Sequence, residues 1–186
     1  MTSPYPEIVM RALELAATWH ANQLRKHPVE KIPYIVHPAG VAILLERCGA
    51  DDETIAAGVL HDVLEDCDVT IEELARATTV RVAKLVAETT EEKGLDWETR
   101  KSKHRARLPE ISREGLLILA ADHVHNLHAL VGLLKLSSDT WSMFHSGRDQ
   151  RIAHEELVFA HLKHRLGRHP LVLEFEKILK ILRDFP

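Results

Sequence analysis

The stretch LLILAADHVHNLHALVGLLKL, residues 116–136, is a long apolar run that contains a single acid, Asp122. Pro109 and Ser112 stand before it, and both are residue types that commonly bound a helix. A run of this length exceeds an ordinary strand and predicts a buried helix. We therefore expect a long helix in the core, with Asp122 as the exception to its apolar character.

Helical patterns continue on both sides of this run. Apolar residues from Ile8 to Trp19 recur at the spacing of one helical face, and alternation typical of strands is almost absent. The third helix is expected to run to about Glu65. The predicted helices begin at or near Ile8, Pro38, Asp51, Thr70, Thr79, Asp149 and Leu171. The sequence therefore predicts an all-α fold with one domain over residues 1–186.

Composition narrows the function classes. The chain has 186 residues, 45% of them hydrophobic, and a formal net charge of −4, which argues against binding to nucleic acid or to an anionic membrane surface. Cys48 and Cys67 form no CxxC pair, and the N-terminus lacks a basic segment followed by an apolar run. We expect a cytoplasmic, reduced protein; its oligomeric state is left open.

Four ionisable residues lie together at the end of the third predicted helix: His61, Asp62, Glu65 and Asp66. Residues four apart on a helix are neighbours, so Glu65 lies one turn after His61, and Asp66 lies one turn after Asp62. Acids at a helix C-terminus oppose the helix dipole. Because the helix dipole disfavours acids at this position, we interpret the group as a functional site rather than as a solvated helix end.

Asp122 and His37 extend this set. An unpaired buried carboxylate costs several kcal/mol, so Asp122 needs a cation. His37 precedes Pro38 at a junction between loop and helix, where its ring can point along the helix axis. Together with His61 and Asp62 they offer two imidazoles and two carboxylates, a ligand set suited to Mn²⁺, Fe²⁺ or Zn²⁺. The absence of a thiolate favours an open, hydrolytic metal site over a closed structural one.

These motifs resemble those of the HD-domain metal-dependent phosphohydrolases. A narrower similarity is to the hydrolase domain of RelA/SpoT-type proteins and to the small stand-alone alarmone hydrolases. The residues that carry it are Arg25-Lys26, Pro33-Tyr34-Ile35-Val36-His37-Pro38, His61-Asp62-Val63-Leu64-Glu65-Asp66 and Ala121-Asp122-His123-Val124-His125-Asn126. The resemblance implies an HD-type helical bundle that removes the 3′-pyrophosphate of guanosine alarmones.

The resemblance also implies residue roles. It assigns Mn²⁺ to a set of four ligands, catalysis to two acids, and contact with a phosphorylated nucleotide to the early basic loop and one asparagine. The metal ligands are His37, His61, Asp62 and Asp122; the catalytic acids are Glu65 and Asp66; the substrate contacts are Arg25, Lys26 and Asn126.

Two alternatives remain open at this stage. The same metal set would serve an HD-type nucleotidase acting on nucleoside 5′-monophosphates, although the paired acids and the basic loop favour the alarmone hydrolase. A non-catalytic nucleotide-binding module is less favoured, because every expected ligand and both acids are present. The charged stretches 88–107 and 148–168 are expected to be solvated faces without a role in the site.

Overall fold

A computed structural model describes residues 5–136, 138–143 and 146–185 of the chain. Within these ranges the protein is helical and has no strand, which confirms the all-α prediction; a single isolated bridge pairs Leu24 with Pro33. The helices are α1 (Glu7–Trp19), α2 (Val36–Arg47), α3 (Asp52–Leu60), α4 (Val63–Asp66), α5 (Ile71–Ala77), α6 (Val80–Thr89), α7 (Trp97–Arg107), α8 (Arg113–Leu136), α9 (Arg148–Leu166) and α10 (Pro170–Asp184).

Helix α8 is the axis of the bundle. It packs against α2, α3, α6, α9 and α10, and its buried residues lie on several of its sides. By length and composition it could cross a membrane, but most of it is enclosed by the other helices, as in a soluble core. Buried side chains from α1 to α10 form one continuous core cluster. The assignment of residues 1–186 to one domain stays a prediction.

Two predicted helices differ from the structure in their bounds. The second helix begins at Val36 rather than at Pro38, because the amide of His37 already donates to the carbonyl of Tyr34. Proline is tolerated there because the first turn of a helix needs no amide donor from it.

The third helix was predicted to continue to about Glu65, and this is wrong. Helix α3 ends at Leu60, and α4 starts anew at Val63 with Asp62 as its N-cap. Consecutive residues of an unbroken helix point about 100° apart. The interruption lets His61 and Asp62, neighbours in the chain, turn their side chains toward one point.

Helix starts follow local capping chemistry. The side chains of Asp51, Thr70 and Thr79 each accept a hydrogen bond from an amide in the first turn of α3, α5 and α6, and the Thr70 start is a complete capping box with Glu73. Asp51 also receives two hydrogen bonds from Arg81 of α6, at 2.8 Å each. This ties the start of α3, the helix that His61 directly follows, to α6.

We expect the cap at Asp51 and its ion pair to be separable by mutation. Asp51→Ala removes both and should lower the free energy of unfolding by about 1–2 kcal/mol, whereas Asp51→Asn retains a capping oxygen and should cost less than about 1 kcal/mol, since exposed ion pairs contribute little. Urea unfolding followed by circular dichroism at neutral pH measures the difference. Equal losses in the two variants would assign the stabilisation to the Arg81 pair alone.

Candidate functional site

Four side chains from three places in the fold converge at the centre of the bundle. Nε2 of His37 lies 3.2 Å from Nε2 of His61 and 3.0 Å from Oδ1 of Asp122. Nε2 of His61 lies 3.5 Å from Oδ1 of Asp122 and 3.0 Å from Oδ2 of Asp62. The structure thus brings together all four predicted ligands. Helix α2 supplies the first, the break between α3 and α4 supplies two, and α8 supplies the last.

The spacing of these atoms fits a metal ion. Ligand atoms about 2.0–2.2 Å from one ion lie about 3–3.5 Å from one another. Among the described residues, His37, His61 and Asp122 are the one group of three or more such side chains whose ligand atoms all lie within 4.8 Å of each other. Nδ1 of His61 lies 2.8 Å from the carbonyl oxygen of Gly58, to which it donates, so its Nε2 lone pair is available to a cation.

The electrostatics of the cluster also call for a cation. Burial alone would raise the pKa of Asp122, but the hydrogen bonds and charges of His37 and His61 outweigh it and hold that pKa well below its ordinary value. Burial opposes charge on His61, yet the carboxylates of Asp62 and Asp122 raise its pKa well above the ordinary value. The two half-buried carboxylates therefore favour a positive charge at the point where the four side chains meet.

Hydrogen bonds orient both acidic ligands. The hydroxyl of Tyr34 donates to Oδ2 of Asp62. Nδ2 of Asn126 donates to Oδ1 of Asp122 at 2.6 Å, and the guanidinium of Arg25 donates to Oδ1 of Asn126 at 2.9 Å. Two of the predicted substrate contacts, Arg25 and Asn126, are thus linked to the predicted metal ligand Asp122 in a single chain of hydrogen bonds. No role was predicted for Tyr34 from the sequence, although Pro33-Tyr34 belongs to one of the motifs that carry the family resemblance.

An inner polar cavity opens beside the cluster. His61, Asp62 and Asp122 line it together with Glu65 and Glu91. Burial raises the pKa of Glu65 to about 7, and the nearby carboxylates of Glu91 and Asp62 add to the effect. Glu65 can therefore hold or release a proton near neutral pH, in a cavity that three of the predicted metal ligands also line.

Glu65 is held by a cation and accompanied by an unpredicted acid. Arg100 of α7 contacts Oε1 of Glu65 and lies 3.0 Å from Oε2 of Glu91. Lys101 donates to the other oxygen of Glu91 at 2.8 Å. The carboxylates that raise the pKa of Glu65 are therefore those of Glu91 and Asp62, and its sequence neighbour Asp66 is not among them.

Asp66 faces an outer cavity on the other side of Asn126. It is exposed and accepts a hydrogen bond of 2.7 Å from Nε2 of Gln23. Arg25, Lys26 and Asn126 line this outer cavity with Asp66, and aliphatic groups such as those of Leu24, Ile32 and Leu133 form part of its wall. An aliphatic wall beside two cationic side chains suits a ligand that has both a flat ring and phosphates.

The prediction that stretches 88–107 and 148–168 are only solvated faces is wrong. Glu91, His104, His154 and Glu155 are buried, and with Lys101 they line the inner cavity. These charges point inward because they pair across helices; Oε2 of Glu155, for example, lies 2.6 Å from Nδ1 of His123. Composition alone cannot detect such pairing. His145, to which no role was assigned, lies outside the described residues.

Comparison with known proteins identifies the family. A family model described as "HD domain" matches residues 12–169. The chain is 37% identical over 185 residues to a guanosine-3′,5′-bis(diphosphate) 3′-pyrophosphohydrolase of Aquifex aeolicus, which covers 95% of this chain but only 24% of that protein. It is 38% identical over 125 residues to the zebrafish (Danio rerio) pyrophosphohydrolase MESH1, covering 66% of this chain and 69% of that one.

Solved structures agree with these relatives. The structure of a metazoan orthologue of SpoT that hydrolyses ppGpp superposes with a TM-score of 0.82 at 29% identity and covers 100% of both chains. A Listeria monocytogenes protein superposes with a TM-score of 0.73 at 31% identity, over 81% of this chain and 97% of the other. The resemblance inferred from the motifs is confirmed. The chain belongs to the HD-domain family and, within it, to the group of guanosine-3′,5′-bis(diphosphate) 3′-pyrophosphohydrolases that includes MESH1.

Proposed function

We propose that this protein hydrolyses guanosine alarmones at the 3′-pyrophosphate, converting ppGpp to GDP and pyrophosphate and pppGpp to GTP and pyrophosphate. Water adds to the phosphorus attached to O3′, the bond between that phosphorus and O3′ breaks, and O3′ takes up a proton. The observation that carries the proposal is the cluster of two imidazoles and two carboxylates set between a polar inner cavity and an outer cavity with cationic side chains. The names of the relatives supply the substrate.

His37, His61, Asp62 and Asp122 would hold one divalent metal, for which we propose Mn²⁺, with Fe²⁺ or Zn²⁺ as other candidates. When bound, such an ion lowers the pKa of a water molecule toward neutrality and neutralises charge on the phosphoryl group that is attacked. Tyr34 and Asn126 hold the two carboxylate ligands in place through hydrogen bonds.

Glu65 is the proposed proton donor to O3′. It lines the inner cavity with Asp62, and its pKa of about 7 leaves a substantial fraction of it protonated near neutral pH. Arg100 fixes the carboxyl group by contact with Oε1. Asp66 is the second proposed acid; held by Gln23 at the outer cavity, it acts from the side on which the nucleotide enters.

The outer cavity is the proposed nucleotide site. The guanidinium carbon of Arg25 lies 5.7 Å from the centre of the Tyr34 ring, so this cation is already ordered against an aromatic face. Lys26 is exposed next to it and can meet phosphate oxygens. Asn126 touches both Arg25 and Asp122 and so connects the nucleotide site to the metal ligands.

We also propose that the protein acts in the cytoplasm. Both cysteines, Cys48 and Cys67, are free thiols, which fits a reducing compartment. The formal charge of −4 does not favour nucleic acid or anionic lipid as a partner.

The ligand assignment predicts loss of metal on substitution. His61→Ala or Asp62→Ala should abolish metal content and turnover while the helical circular dichroism spectrum persists, because the core contacts of α3 come from other residues. Elemental analysis of the purified variants measures the metal. His128→Ala is the matched control, since His128 is an exposed histidine of α8 bonded to Glu174. Full metal occupancy in either site variant would refute the assignment.

The proton-donor assignment predicts a change in the pH profile. Glu65→Gln should lower kcat by roughly 10²–10⁴-fold while metal and nucleotide still bind. The wild-type rate should fall as pH rises through about 7, because Glu65 loses its proton there, and the variant should lack that limb. Asp66→Asn should also be slow but should keep the limb. Glu92→Gln, which alters an exposed acid paired with Lys103, serves as control; an unchanged limb in Glu65→Gln would exclude Glu65 as the donor.

The substrate-contact assignment predicts effects on KM. Loss of one charge-assisted contact to phosphate costs about 1.5–3 kcal/mol, so Lys26→Ala should raise KM for ppGpp roughly 10- to 150-fold with a smaller effect on kcat. Arg25→Ala should also reduce any preference for guanine. Lys31→Ala, an exposed cation of the same loop, is the control. Unchanged KM in both test variants would favour the nucleoside monophosphatase alternative.

A further inference from the structure

A histidine that binds a metal through Nε2 must carry its own proton on Nδ1, and that proton needs an acceptor when the ring is buried. His61 satisfies this with the carbonyl of Gly58, as described above. His37 is 1% exposed, so it too needs an acceptor within the protein. The atom in place is Nδ1 of His125, which lies 2.9 Å from Nδ1 of His37.

Only one direction of the hydrogen bond between the two rings leaves Nε2 of His37 able to bind a metal. If Nδ1 of His37 donates, Nδ1 of His125 accepts, and the lone pair on Nε2 of His37 points at Asp122 and His61 as a ligand should. If the bond runs the other way, Nε2 of His37 carries the proton and cannot coordinate. When Nδ1 of His125 accepts the hydrogen bond, it therefore selects the tautomer of His37 that has its proton on Nδ1 and a free lone pair on Nε2 for the metal.

The position of the His125 ring depends on a missing side chain. A Cβ atom added to Gly40 of α2 would lie 2.3 Å from both Cδ2 and Nε2 of His125. The ring therefore occupies the space that any other residue at position 40 would fill. His37 and Gly40 lie three residues apart on α2, and Asp122 and His125 lie three apart on α8, so each helix carries one ligand and one part of this support.

We propose that His125 is a positioning residue for the proposed metal ligand His37. Nδ1 of His125 accepts a hydrogen bond from the protonated Nδ1 of His37. Gly40 provides the space that the His125 ring needs. The proposal rests on the metal set of the proposed function. It assigns to His125 no contact with substrate.

Two substitutions at His125 separate hydrogen bonding from packing. His125→Asn keeps an oxygen near the place of Nδ1 but loses the ring, whereas His125→Phe keeps a ring but has no acceptor. The 186-residue protein is stripped of metal and titrated with Mn²⁺ against a chromophoric chelator. We expect His125→Phe to weaken Mn²⁺ binding roughly 10- to 100-fold, the usual effect of removing a partner of a metal-bound histidine. His125→Asn should weaken it less.

Gly40→Ala tests the second half of the proposal. It should weaken Mn²⁺ binding as His125→Phe does, and the double variant should lose no more than either single one, because both act through one ring. Gly132→Ala is the control: it adds the same methyl group in α8, where nothing lies within 4 Å of it, and Mn²⁺ affinity should not change. Circular dichroism and thermal unfolding confirm that each variant is folded.

Several results would overturn the proposal. Unchanged Mn²⁺ affinity in folded His125→Phe would exclude the acceptor role. Weaker binding in His125→Asn than in His125→Phe would assign His125 to packing alone, and additive losses in the double variant would separate Gly40 from His125. His61→Ala is included as a reference: if it too binds Mn²⁺ normally, the metal set itself is wrong, and the failure lies with the proposed function.

Discussion

The carboxylate of Asp122, half-buried on the helix that packs against α2, α3, α6, α9 and α10, is the constraint on which the site depends. A buried carboxylate is tolerated only with a positive partner and with its lone pairs occupied. His37 from α2, His61 from the end of α3 and Asn126 from α8 itself meet this requirement. Because α2 and α3 also pack on α8 through their apolar residues, the contacts that build the core and those that build the site fix the same helices.

The proposed nucleotide site and the proposed metal site are connected in this arrangement. Arg25 donates to Asn126, and Asn126 donates to Asp122, so two hydrogen bonds connect the proposed nucleotide contact to a proposed metal ligand. On the other side, Glu65 shares Arg100 with Glu91. The loop after α1 and the charged helix α7 thus approach the metal cluster from opposite cavities, and neither needs to supply a ligand.

Sequence reasoning located most helices and all four proposed ligands because these leave local signals: caps, apolar spacing, and charged residues where none are expected. It missed the break at His61-Asp62, since nothing local stops α3 there; the break follows from the need to aim two consecutive side chains at one point. It missed the inward charges of α7 and α9 because their burial depends on partners in other helices, such as His123 of α8 for Glu155 of α9. The partnership of His37 with His125 is likewise invisible, since it depends on how closely α2 approaches α8 at Gly40.

The polar insertion in α8 can now be understood residue by residue. Asp122 and Asn126 lie one turn apart and bond to each other, His125 turns toward α2 and His37, and His123 turns toward α9, where buried Glu155 accepts its Nδ1 proton while the ring of Phe175 stacks on it. Asp122 and Asn126 are partners of one another, Asp122 and His125 both contact His37 of α2, and His123 pairs with Glu155 of α9. Breaking a buried pair of this kind by removing one member costs about 3–5 kcal/mol, so the contact between His123 and Glu155 helps to hold α9 against α8. An apolar helix can therefore carry four polar side chains within five residues and still give each of them a hydrogen-bond partner.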